Sequence, residues 1–356
     1  MNISDDEFDR LYEKYISDLE KIPDISNPAD LKEIDTPNIQ DYFSQKSKSP
    51  KDDICGHRAK EFARVNTKFL SSLIDQKLNN PDCAYVTCMD SLLSEGYTPE
   101  LVSVMLKKAV VPKLKGTLHA YTAFDSFKEI LSGRIMNYFG VATPYETLVK
   151  ENGKIQIMSV DFVSPREEFS TFEQLNTSII DLRLPQNISS VQELMDILYH
   201  ERNEYKLHIK PSSPDMVEQF VYSYMVRNWI FNDLDFDEKN IGTLTNKDTK
   251  ELKCLLNVDF ERSMNTMGYA KSKEAIPFEM KLIQEAYPEL FDRFKSKFKN
   301  LSKKNIFTGK SPCDDMIEEV SFGNNLMSYN LRSIINTNIS ALKSAFRSIE
   351  NPVQGK

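Results

Sequence analysis

Tyr145–Val160 reads YETLVKENGKIQIMSV. Two extended-type runs, Tyr145–Val149 and Ile155–Val160, flank Asn152-Gly153, the dipeptide a tight hairpin prefers because both central positions take positive φ. An antiparallel sheet in the first half of the chain follows. Upstream, Phe127, Ile130, Leu131, Ile135, Met136 and Phe139 recur on one face of a predicted helix over Phe124–Phe139, with Val110–Lys115 as a short strand before it. Helical spacing also predicts helices over His57–Gln76 and from Pro99 toward Lys108. Downstream, helices are expected at Val191–His200, Asp215–Phe231, Pro277–Phe298 and Leu326–Ile349, with a second hairpin whose later arm is Leu252–Phe260. The fold class is therefore α+β: a small antiparallel-sheet lobe, a helical large lobe and a helical carboxy-terminal extension.

The 356 residues exceed what one core usually organises. Four regions are expected: an acidic extension and linker over 1–50, a small lobe with extra helices over 51–163, a large lobe over 164–270, and a helical region over 271–356. A net charge of −8 argues against nucleic acid as a partner. The five cysteines, Cys55, Cys83, Cys88, Cys254 and Cys313, form no C-x-x-C pair, so neither a disulfide framework nor a zinc site is suggested. The start, MNISDDEFDR, lacks the basic and then apolar pattern of a secretory signal, and a cytoplasmic setting is expected. With only 11 glycines, any glycine-dependent phosphate loop must be minimal. Histidines 57, 119, 200 and 208 are scattered, and no G-x-S-x-G stretch offers a nucleophilic serine.

Two later stretches carry chemistry. Phe231–Gly242 reads FNDLDFDEKNIG, and Leu255–Ser263 reads LLNVDFERS. Asp235 and Asn240 have D-x-x-x-x-N spacing, and Asp259 ends a hydrophobic strand. Phosphoryl transfer needs these types: a carboxylate to orient the acceptor, an amide and a second carboxylate for metal, and a lysine for the nucleotide phosphates. Taken together the stretches closely resemble the HipA-like and phosphoinositide-kinase-like branch of atypical kinases. The resemblance extends upstream through NYFGVATPYETLVKENGKIQIMSVDFVSPREEF (residues 137–169) and covers roughly residues 105–265. Asp237 stands where the family commonly has histidine, and no G-x-G-x-x-G loop precedes the lysine strand.

The resemblance implies an ATP-dependent kinase using magnesium or manganese and acting on a protein or phosphoinositide-like hydroxyl. Asp235 would be the catalytic carboxylate, and Asn240 and Asp259 would hold metal. Glu129 in SFKEIL would pair with the nucleotide lysine on VVPKLKG, Lys113 first and Lys115 second. Met158, Ser159, Val160 and Asp161 would edge the adenine. An AMP-transferring enzyme on the same fold and a catalytically weak pseudokinase or membrane-associated scaffold are the alternatives.

A local basic segment stands out against the acidic chain. Arg293–Lys310 reads RFKSKFKNLSKKNIFTGK, in which Arg293, Lys295, Lys297, Lys299, Lys303 and Lys304 alternate with Phe294, Phe298 and Phe307. A basic, aromatic helix can bind an anionic membrane surface, a phosphoinositide or a soluble inositol phosphate acting as activator. An amphipathic helix whose phenylalanines dock on the large lobe is the structural alternative. The style of the sequence also suits an effector exported into a host cell and membrane-associated there.

Overall fold

The computed structural model describes residues 10, 21–26, 31–33, 60–110, 122–172, 214–233, 236, 239–260, 263–265 and 275–350. In chain order the first elements are β1 (Leu31–Glu33), β2 (Lys60–Asn66), a 3-10 turn over Thr67–Leu70, α1 (Ser71–Asn79), β3 (Tyr85–Val86), α2 (Asp90–Ser94) and β4 (Leu101–Lys108). Then come α3 (Ala123–Phe139), β5 (Thr143–Pro144), β6 (Glu146–Glu151), β7 (Lys154–Val160) and β8 (Glu167–Thr171). The remainder is α4 (Pro214–Tyr224), a π-helical turn over Met225–Phe231, β9 (Ile241–Asn246), β10 (Leu252–Asn257), α5 (Ala275–Ala286), α6 (Pro288–Leu301), α7 (Pro312–Val320) and α8 (Asn325–Glu350). The architecture is α+β, with antiparallel sheet early and a helical carboxy-terminal region.

The main sheet has five strands in the order β1-β2-β4-β7-β6, all antiparallel. The β6–β7 hairpin forms where the sequence predicts it, with Asn152 at φ +49° and Gly153 at φ +73°. Alternation then assigns the faces of the sheet. Val102, Val104 and Leu106 of β4, with Met158 and Val160 of β7, pack against Val65, Leu70, Leu73, Tyr85 and Met89. The opposite face meets α3, where Leu148 and Ile157 join Phe127, Ile130, Leu131 and Ile135 in the largest core. Burying each such side chain contributes about 1.5–3 kcal/mol before chain entropy is charged against it.

Two helical expectations are corrected. His57–Gln76 is not one helix: its described part is β2, the 3-10 turn and the start of α1, with Asn66 capping the turn through Lys68 N–H. Pro99–Lys108 holds strand β4. In both, a period of two along one sheet face, Ala63/Val65 and Val102/Val104/Leu106, prevailed over spacings of three and four that also fit the apolar residues. The strand candidate at Val110–Lys115 and the helix at Val191–His200 lie mainly or wholly outside the described residues.

Residues 275–301 form two helices in place of one, because Pro288 starts α6 after Tyr287. Phe291, Phe294 and Phe298 of α6 pack among Trp229, Phe139 and Phe346. Glu279 of α5 accepts from Trp229 Nε1 at 2.7 Å and from Tyr224 Oη at 3.3 Å. These contacts fix α4 and its π-helical turn against the carboxy-terminal helices, and so position the loop that follows. A second sheet, β8-β9-β10, carries the next hairpin. Its Gly242 is required by close approach: a Cβ there would collide with the Ser170 carbonyl and meet the Phe169 ring at 2.8 Å.

Candidate functional site

The site begins with a lysine in the sheet. Lys107 alternates out of the Val102/Val104/Leu106 face and so points to the α3 side. There its Nζ forms a buried ion pair with Glu129 of α3 and a second, at 3.3 Å, with Glu146 of β6. All three residues are at most 7 % exposed. Thr122 and Asp125 hold the α3 amino terminus in a reciprocal capping box, and Ser126 donates to the Ala109 carbonyl at 2.7 Å. The Ser126 contact fixes the helix against the residue that follows β4.

Among the described residues, one cation faces two buried carboxylates. Burial, the largest effect, pushes the Glu146 carboxyl up to about 7; Lys107 opposes the shift, while Glu129 and Asp259 add to it. Asp259 is therefore within electrostatic reach of this cluster. One Glu146 oxygen, Oε2, has no hydrogen-bond partner among the described residues.

The second half of the site is organised by Arg227, fully buried in the π-helical turn. Its Nε and Nη2 both approach the Asp233 carboxylate at 2.7 Å. Nη1 donates to the carbonyl of Asn240 at 3.0 Å and more weakly to that of Val258, and Nη2 donates to the Asp259 carbonyl at 3.1 Å. The guanidinium lies 4.7 Å from the centroids of both Phe236 and Phe260. Val258 N–H donates to the Asn240 carbonyl at 3.0 Å. One side chain thus ties the loop before β9 to the segment after β10, bringing Asn240 beside Asp259. Asp259 adopts φ +53° and Asn232 φ +48°, left-handed positions that Asp and Asn tolerate better than most residues. Asn338 of α8 braces the same region, donating to the Ile230 carbonyl at 2.8 Å and the Asn265 carbonyl at 3.0 Å.

Of the expected site residues, Glu129, Asn240 and Asp259 are described and converge on this region, whereas Lys113, Lys115, Asp235 and Asp237 lie outside the described residues. Glu129 is engaged by Lys107, which the sequence reading had placed at the end of a helix. Met158 and Val160 point into the core on the far sheet face. Ser159 lies on the other face, paired in register with Met105 and Glu146. Asp161 accepts from Val163 N–H at 3.1 Å, and burial raises its carboxyl to about 6.

Lys107, Glu146 and Arg227 were all missed by the sequence reading. None carries a decisive local signal: the Val-x-Val-x-Leu-Lys run that ends on the first fits a strand and a short helix alike. No group of three His, Cys, Asp or Glu suited to holding a metal occurs among the described residues.

The basic segment divides in two. Phe294 and Phe298 are buried, and four of its cations engage the protein: Arg293 over the Tyr222 ring at 4.0 Å, Lys295 with Glu350 at 2.6 Å, Lys297 donating to the Tyr138 carbonyl at 2.9 Å, and Lys310 with Glu318 at 2.5 Å. Lys299, Lys303 and Lys304 are exposed.

No protein-family model and no curated protein matches the chain. Among solved structures, it is similar to the crystal structure of a Helicobacter pylori proinflammatory kinase, CtkA, at 16% sequence identity and a TM-score of 0.41, over 71% of this chain and 92% of that one.

Proposed function

We propose that this chain is an ATP-dependent phosphotransferase whose nucleotide lysine is Lys107. The observation that carries this reading is the buried Lys107–Glu129 pair joining a central strand to the following helix, with Asp259 acting on the same charge cluster. A strand lysine held by a helix glutamate, with a metal-binding Asp close by, is the arrangement that positions ATP phosphates in kinases. Glu129 fixes the position of the Lys107 ammonium, so that it would meet phosphate oxygens without reorganising.

The donor set fits a hard divalent cation. Asn240 and Asp259 offer side-chain oxygens from segments locked together by Arg227, and magnesium commonly takes one or two carboxylates plus substrate phosphates in place of a full protein cage. When bound, that ion would neutralise charge on the phosphates. Asn240 and Asp259 would hold it, Asp235 would orient the acceptor hydroxyl, and Arg227 would act through both segments as a positioning residue. The acceptor in this reading is a protein or phosphoinositide-like hydroxyl, with an inositol phosphate as a candidate activator.

The test is transfer from γ-labelled and, separately, α-labelled ATP with magnesium or manganese, using wild type and Asp259→Asn. Movement of the γ label alone, lost in the variant, supports the kinase. Movement of the α label makes the enzyme an AMP transferase, and movement of neither favours the scaffold.

A further inference from the structure

Two apolar side chains at one loop apex are almost wholly bare. Between α6 and α7, Ile306 is 95% exposed and Phe307 96%, against 70% for Tyr329, the next most exposed large apolar side chain among the described residues. Scattered exposed hydrophobes need no explanation, but an adjacent pair held outward by a built turn is a different observation. Asn305 Oδ1 accepts from Phe307 N–H at 2.8 Å and from Thr308 N–H at 3.4 Å. Asn305 N–H donates to the Lys310 carbonyl at 2.8 Å, and Gly309, at φ +68°, donates back to the Asn305 carbonyl at 2.9 Å. The turn closes on itself and leaves neither apolar residue a route back to the core.

We propose that this apex is a membrane-docking tip that inserts Ile306 and Phe307 into the interfacial zone of an anionic bilayer. Its rim supplies the charge. Lys303 and Lys304 are exposed, as is Lys299, whose charge also acts on Glu350. The acidic groups on α7 are met by cations: Glu318 by Lys310 at 2.5 Å and Arg332 at 3.3 Å, and Asp314 by Arg332 at 3.1 Å. Asp315 is the remaining acidic neighbour of Lys310.

A lipid surface is the occupant that the geometry favours. A protein partner needs about 800 Å² from each side for a stable interface, which two side chains on a turn do not provide. A bilayer accepts a narrow tip, and lysine stems can lie along it with their ammonium groups among lipid phosphates. No described helix is long and apolar enough to cross a membrane, so docking would be peripheral. The proposal is independent of the phosphotransferase reading.

The test uses the full chain with phosphatidylcholine vesicles, with and without phosphatidylserine, read by co-sedimentation. Wild type is expected to partition onto the anionic vesicles only, and the Ile306→Ser/Phe307→Ser double variant to bind about tenfold more weakly or less, with an unchanged Tm because both side chains face solvent. Lys303→Gln/Lys304→Gln should weaken binding most at low salt. Wild type remaining in the supernatant, or the apolar double variant sedimenting like wild type, overturns the proposal. So does a wild-type dimer that the double variant loses without any vesicle binding by either protein, which would assign the tip to a second copy.

Discussion

Two buried cations organise this molecule in opposite ways. Arg227 is saturated: its donors meet one carboxylate and three backbone carbonyls, and aromatic rings lie on its flanks. Lys107 is contested: it faces Glu129 and Glu146 together, with Asp259 adding negative charge and one Glu146 oxygen unpartnered among the described residues. A saturated cation holds chain segments together and has nothing left for a ligand. In the proposed reading, the Lys107 cluster is where a metal-bound polyphosphate would dock, supplying both cation and anion. Substitutions at the two centres should accordingly fail differently.

The largest expected effect is at the saturated centre. Arg227→Met should unfold or severely destabilise the protein, by about 3–5 kcal/mol, because Asp233 is left charged and buried and three carbonyls lose donors. Thermal or urea denaturation measures it, and a near-native midpoint would refute the structural role. Gly242→Ala should follow at about 2–4 kcal/mol, since the new methyl meets the Ser170 carbonyl. The same assay checks it.

At the contested centre the outcome is chemical. Glu129→Gln should reduce phosphoryl transfer by about a hundredfold while the Tm moves by only a few degrees, because the amide fills the same space. An equal loss of stability and activity would make the pair structural, like Arg227.

The remaining effects depend on pH. Glu146 titrates near 7 when folded and near 4.5 when exposed, so between these values the native state holds a proton that the unfolded state releases. Stability should therefore fall as pH rises through that window, by about 3 kcal/mol. Glu146→Gln should flatten the Tm-against-pH profile there; an unaltered slope would contradict the assignment. Asp161, raised to about 6 by burial, has the same sign and a slightly smaller expected contribution. Asp161→Asn keeps an oxygen for Val163 N–H and should raise stability by about 3 kcal/mol above pH 6, and by little near pH 4, on denaturation curves.

The contrast also explains what the sequence disclosed. Asn152-Gly153 announced its hairpin because positive φ at two successive residues is a local demand. Glu129 was legible only through the resemblance that pairs a helix glutamate with a strand lysine, because SFKEIL by itself reads equally as a surface helix position. Lys107 was not, since LVSVMLKK satisfies both a strand and a short helix, and only pairing with β2 and β7 decides between them. Arg227 sits within the apolar run MVRNWIF, and its partners lie six to thirty-two residues away; nothing local distinguishes it from a solvated arginine. Phe294 and Phe298 read equally as a membrane face or a core face until α4 and α8 pack against them. The Ile306-Phe307 apex has no such cover.

The central claim is that Lys107, in place of Lys113 or Lys115, grips the nucleotide. The most direct test measures γ-phosphoryl transfer in Lys107→Arg, Lys113→Ala and Lys115→Ala side by side, with a Tm for each. Lys107→Arg keeps the buried charge but changes its reach and geometry. The account predicts that this variant alone loses activity, by about a hundredfold, with little change in Tm. Loss in Lys113→Ala or Lys115→Ala while Lys107→Arg stays active would contradict it.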